Sequence, residues 1–179
     1  MSREETRMNR TRTAVIGSLA VTAATAFALG GLLQPSAQAD ADVVTFTLTQ
    51  EPPTLFPVDM AAKGDTEGDM LLFEAKVSGE EDMSGTITGL LITADIPDAS
   101  GDTTEDRLGQ LTFDFGGGNS LVVVGKTIYP DGAVEMAPGT PQLRAIVGGT
   151  GIYLGARGQL ESLRQEDGSY VQTITLVDE

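Results

Sequence analysis

The stretch RAIVGGTGIYLGARGQ, Arg144 to Gln159, carries glycines at positions 148, 149, 151, 155 and 158. Such a run either cradles a nucleotide or turns one strand into the next. Gly149-Thr150-Gly151 followed by Gly155 approximates G-x-G-x-x-G with one extra residue. That fingerprint works only where a strand ends and a helix begins, so that free N–H groups meet pyrophosphate. Here IYLGARGQL alternates and holds Gly155 and Gly158 in its interior, which makes a poor helix, and no P-loop lysine follows. The residues therefore read as a tight β-turn at GGTG that needs positive φ. Gly155 and Gly158 then let the following strand bend, as closure of a barrel requires.

Outward from this stretch the dominant period is two, with β-branched residues grouped between turn signals. Eight strands are predicted. The first is Asp42 to Thr49, followed by a long Pro-rich loop, QEPPTLFPVDMAAKGDTEG. The second, DMLLFEAKVS, sets Leu71, Phe73, Ala75 and Val77 against Met70, Leu72, Glu74 and Lys76. GTITGLLITADI is the third, and RLGQLTFDF, with Leu111, Phe113 and Phe115 on one face, is the fourth. The short turn GGGNS joins it to LVVVGKTI in a hairpin. QLRAIV, IYLGARGQLESL and SYVQTITLV complete the set. No capped amphipathic helix is visible, so the expected fold is all-β, an eight-stranded antiparallel β-barrel without free edges.

Residues 1–39 stand apart. Arg3, Arg7, Arg10 and Arg12 precede an apolar run from Ala14 to Leu33, then Pro35 and Ala37-Gln38-Ala39, the layout of a secretory signal peptide cut before Asp40. Met8 is an alternative start. Residues 40–179 are then one domain of sufficient size for a real core, exported and extracellular. The leader removes four of the 11 basic residues and two of the 26 acidic ones, which takes the net charge from −15 to −17. A surface of that sign repels phosphate backbones and anionic lipid, arguing against nucleic-acid and, after cleavage, membrane partners. The chain has no cysteine, so no disulfide staples it. It has no histidine either, which removes the commonest general base, the Ser-His and Cys-His pairs and the usual zinc ligands. The acidic segments DTEGD and DASGDTTED lack the twelve-residue calcium-loop pattern and read as solvated turns. No metal and no cofactor is expected.

RAIVGGTGIYLGARGQL resembles the signature of the allene oxide cyclase barrel superfamily, which includes allene oxide cyclases and dirigent proteins. FDFGGGNSLVVVG is similar to the Gly-turn hairpin of both, and GDMLLFEAKV with GTITGLL matches their second and third strands. The resemblance covers most of Gly68 to Leu163. It implies an eight-stranded barrel with an apolar pocket, assembled as a homotrimer. The families' catalytic residues carry over poorly. Where the cyclases hold a cysteine on the third strand this chain has Leu91, and their first-strand Glu and Asn face Thr47, Thr49 and Gln50. Their hairpin tyrosine faces Asp114, Gly117 or Gly118, and the dirigent aspartate after GGTG is Ile152; Arg157 alone matches a polar residue of the dirigent signature.

The remaining polar candidates come from the strands themselves. Glu74 lies in the apolar second strand, Asp114 lies between Phe113 and Phe115, and Tyr153, Arg157 and Gln159 share one face of the seventh strand. If that face points inward, Arg157 could hold a carboxylate or enolate, Tyr153 donate to it, and Asp114 or Glu74 move a proton. If it meets water, then Ile152, Leu154, Ala156 and Leu160 form the core face instead. Two functions stay open on these residues. One is a cofactor-independent cyclase or isomerase that folds a small lipophilic molecule into a reactive shape. The other is a non-catalytic binding or scaffold protein using the same cavity.

Overall fold

Each strand of the computed structural model lies antiparallel to its neighbours, in the order β1-β9-β8-β7-β6-β5-β4-β3-β2, and β1 also pairs with β3 to close the ring. The structure describes residues 42–60, 63–96 and 103–178; the expected leader and cleavage site and part of the second acidic segment lie outside them. The strands are β1 (Asp42–Gln50), β2 (Thr54–Val58), β3 (Met70–Gly79), β4 (Ser84–Asp95), β5 (Thr104–Asp114), β6 (Ser120–Pro130), β7 (Gln142–Thr150), β8 (Gly158–Arg164) and β9 (Tyr170–Asp178).

Eight of these make the closed barrel, and β2 is the second half of a broken first strand. β1 reaches β3 only from Leu48, opposite Gly79, to Gln50, opposite Val77, whereas β2 pairs from Thr54, opposite Glu74, to Val58, opposite Met70. Between them Glu51 N–H still donates to Lys76 O at 3.0 Å. Pro52 and Pro53 have no N–H to continue the ladder, so the strand interrupts there and resumes. The sequence reading placed TLFPV in a loop; the structure corrects it to a strand, with Pro57 tolerated because β2 is an edge.

A second correction concerns the Gly-rich stretch. Gly148, Gly149 and Thr150 still belong to β7, Gly151–Tyr153 form a 3-10 turn, and β8 begins only at Gly158. Gly149 pairs with Leu121 in the ladder, and a Cβ there would sit 2.5 Å from Ser120 O and 2.6 Å from Tyr153 O, so only glycine fits. The positive φ falls at Gly151 and Gly155 instead. These two residues swing the chain out of the sheet, so alternation has no meaning between them. Ile152 and Leu154, placed on a core face in one of the two readings of the stretch, are 78% and 83% exposed, while Leu160, back in the ladder, is fully buried.

The barrel interior divides along its axis. Toward the β5–β6 hairpin it is apolar, with Leu48, Ile87, Phe113, Leu121 and Ile174 fully buried, each contributing about 1.5–3 kcal/mol. Toward the opposite end the same inward positions turn polar without changing phase. Leu48 is followed inward by Gln50, Leu160 by Ser162, and Ile174 is preceded by Gln172 and Tyr170. On β6 the inward series runs Leu121, Val123, Gly125, Thr127, Tyr129.

Candidate binding site inside the barrel

At the polar end the inward side chains surround a cavity of about 40 Å³. Arg144 of β7 is its central charge, 6% exposed. Its path is cut by two glycines that face each other across the sheet, Gly109 of β5 and Gly125 of β6. A Cβ on Gly125 would lie 3.2–3.3 Å from Arg144 Cγ, Cα and Cβ, and one on Gly109 would lie 3.6 Å from its Nε. The missing side chains leave a slot in the wall along which the arginine lies.

The guanidinium is then positioned by a directed chain of hydrogen bonds. Arg144 Nη2 donates to Thr127 Oγ1 at 2.8 Å, and Nη1 reaches Ser162 Oγ at 3.5 Å. Ser162 Oγ donates to Gln172 Oε1 at 2.7 Å, and Gln172 Nε2 donates to Gln50 Oε1 at 2.7 Å. Because Ser162 spends its proton on Gln172, its lone pairs face the arginine. Burial pushes the Arg144 pKa down, opposed by the Tyr129 phenol beside it.

The segment between β6 and β7 closes this end. Met136 is 3% exposed and lines the cavity with Val134 and Glu135. Glu135 ties the segment to the wall, accepting from Arg164 Nη2 at 3.0 Å and from Tyr170 OH at 3.1 Å. Arg107 of β5 donates to Ala133 O at 2.9 Å and Val134 O at 3.1 Å. The same guanidinium lies 4.4 Å from the centre of the Tyr129 ring and pairs with the buried Glu105. Burial raises the Glu105 pKa against the pull of Arg107. Tyr170 is pushed well above the ordinary phenol value by burial and by the Glu135 carboxylate, so it remains a neutral donor. With the segment seated, the cavity holds a few water molecules at most; small-molecule sites run to about 300–1,000 Å³.

None of the four residues singled out from the sequence lines this cavity. Glu74 is exposed on the outer face of β3. Asp114 is exposed at the end of β5, where its Oδ1 accepts from Gly116 N–H at 2.8 Å and shapes the hairpin turn. Tyr153 is half-buried at the opposite end of the barrel, its ring 5.4 Å from that of Phe115, and burial raises its pKa. Arg157 is exposed between the 3-10 turn and β8, beside an outer groove lined by Ile152, Leu154 and Leu176. Tyr153 and Arg157 line that same groove, away from Glu74 and Asp114. The residues that do converge, Gln50, Thr127, Tyr129, Arg144, Ser162, Tyr170 and Gln172, carried a readable signal. Each continues the phase of an apolar series on its own strand. Asp69, in the first acidic segment, accepts from Met60 and Thr66 N–H at 2.8 Å each, which holds its pKa low and makes it a loop clasp.

No protein-family profile matches the chain, and no curated protein matches it by sequence. Solved structures do match by shape. The fold is that of the closed eight-stranded barrel found in dirigent proteins and in barrel cyclases. A pyocyanin demethylase superposes with a TM-score of 0.58 at 20% identity, over 75% of this chain and 100% of its own. A nonspecific heme-binding cyclase, which catalyses a 4 + 2 cycloaddition during neoabyssomicin biosynthesis, gives 0.59 at 15% identity, covering 80% of this chain and 68% of its own. The pterocarpan synthase dirigent protein GePTS1 gives 0.51 at 14% identity, covering 82% and 96%. None of these three is an allene oxide cyclase.

Proposed function

We propose that the protein is exported, after cleavage before Asp40, and that its barrel binds a small lipophilic molecule and directs its cyclisation or isomerisation by shape and hydrogen bonding. The observation that carries the reading is a buried set of polar groups at the end of an otherwise apolar barrel, beneath the segment between β6 and β7. Val134 and Met136 occupy the space a ligand would need; side chains from the wall reach their segment, and Gly139 N–H of the same segment donates to Arg164 O at 2.9 Å. Moving them out would join the polar end to the apolar wall of Leu71, Leu91 and Leu111. A flexible molecule held there with its polar end fixed has few conformations left. Bringing two of its carbons together in this way converts a rare encounter into a standing one. The solved barrels that share the fold include a cyclase and a pterocarpan synthase, which supports this use of the cavity.

A second reading, a binding protein without catalysis, is favoured by the placement of Glu74, Asp114 and Arg157 on the outside. Native mass spectrometry of the protein recovered from its own culture medium tests both. A retained small molecule is expected, and its conversion on incubation separates the readings. Protein recovered empty, with no binding from an extract of the same medium, would refute them together.

A further inference from the structure

We propose that the molecule bound in the barrel carries a two-oxygen anion, such as a carboxylate, and that Arg144 in the glycine slot is the residue that pairs with it. The inference rests on the proposed cavity binding and adds to it the chemistry of the ligand's polar end.

Arg144 is buried, and no carboxylate among the described residues is paired with it. Ion pairs among the described residues include Glu105 with Arg107, Asp106 with Lys126, and Glu135 with Arg164. Glu135 is the one carboxylate that lines the cavity with Arg144, and it is engaged by Arg164 and Tyr170. The Arg144 guanidinium donates to a threonine hydroxyl at 2.8 Å and to a serine hydroxyl at a long 3.5 Å. Its Nε, also buried, has no hydrogen-bond partner. The Tyr129 phenol beside the guanidinium opposes the fall of the Arg144 pKa that burial causes, and the phenol of Tyr170 is held neutral.

Keeping an unpaired guanidinium inside a barrel is costly, and such a group is far better satisfied by an anion that reaches it. Its geometry also selects the anion. A guanidinium offers parallel N–H donors in one plane, which fit two oxygens on one carbon. The slot between Gly109 and Gly125, with the chain from Ser162 through Gln172 to Gln50, fixes that plane before any ligand arrives. The rest of the ligand would be apolar, because the walls next to the polar end are Leu71, Phe73 and Leu91, and the side chain now filling the space is Met136.

Calorimetric titration of the mature protein with decanoate and with decanol, at neutral pH and low salt, tests this. These two probes share a chain and differ at the head. Decanoate is expected to bind at least about tenfold more tightly, which corresponds to about 1.4 kcal/mol, and Arg144→Gln is expected to remove the difference while decanol still binds. A second measurement needs no variant fold: the Arg144 Nε–H resonance of the wild type, in a nitrogen-proton correlation spectrum, should move on adding decanoate and stay still with decanol. Equal affinities in the wild type, a difference that survives Arg144→Gln, or an unmoved resonance would overturn the anion. Decanol binding alone would leave the cavity reading standing and remove the anion, whereas binding of neither probe would remove both.

Discussion

Gly149 and Gly158 are places where two backbones touch. A Cβ at Gly158 would stand 1.9 Å from Thr175 O, closer even than the 2.5 Å between one at Gly149 and Ser120 O. Gly155 differs in kind, with open space around it but a φ of +83°. Valine should therefore act unequally. Gly149→Val and Gly158→Val each push strands apart and should lose about 3 kcal/mol in urea denaturation, whereas Gly155→Val meets only the left-handed penalty of about 1–2 kcal/mol. Equal losses at all three would show that the backbone conformation, and not the close approach, is what these positions protect. The glycines were legible as structural from their number and from the absence of a helix after them. Which glycine does which task was not, because positive φ and close approach leave the same letter in the sequence. The inward phase of the polar residues was readable, but not the role of Arg144 among them. Arg144 looked like one polar residue in QLRAIV, since its meaning depends on Gly109 and Gly125, which lie on other strands.

Strands were the readable elements, because a two-residue period with one wet and one dry face leaves a direct trace. Leu71, Ala75 and Val77 of β3 and Leu111 and Phe113 of β5 are buried as their alternation predicts. The segment between β6 and β7 left no such trace. Its role depends on Met136 entering the barrel and on Glu135 finding Arg164 and Tyr170, contacts that have no period. Substituting Glu135→Gln tests how the segment is held. It removes the charge that, after burial, does most to raise the Tyr170 pKa, so that phenol should ionise at lower pH than in the wild type, read as phenolate absorbance in an alkaline titration. The sign for stability follows. A folded-state pKa above the ordinary value of 10.0 means that Tyr170 favours the fold below about pH 10, and that this contribution drains away as pH rises toward its folded value. In Glu135→Gln the drain should be smaller. The lost, partly exposed ion pair with Arg164 should cost only about 0.5–1 kcal/mol at neutral pH. An unchanged Tyr170 titration would mean that Glu135 does not reach the phenol in solution.

As a whole the molecule carries an acidic surface with an apolar band across β2 to β5. Phe56 pairs with Leu72, Ile92 pairs with Leu108, and all four are exposed. We propose that this band is where copies meet in the homotrimer that the sequence resemblance implies, apolar contact offsetting the repulsion of chains with a net charge of −15. Light scattering at micromolar protein and moderate salt should give three times the monomer mass, and Leu108→Glu should return it to one; a wild-type monomer under those conditions would defeat the trimer. The ring closure has a consequence of another sort, in time rather than space. β1 lies between β3 and β9, and Thr45 meets Thr175, their hydroxyl oxygens 3.3 Å apart across 130 residues of chain. The first strand to leave the ribosome waits for the last before the ring can shut. Contacts of such long sequence separation form slowly. The sheet therefore keeps an unsealed seam until β9 is made, a delay that would help a chain exported unfolded, as proposed above.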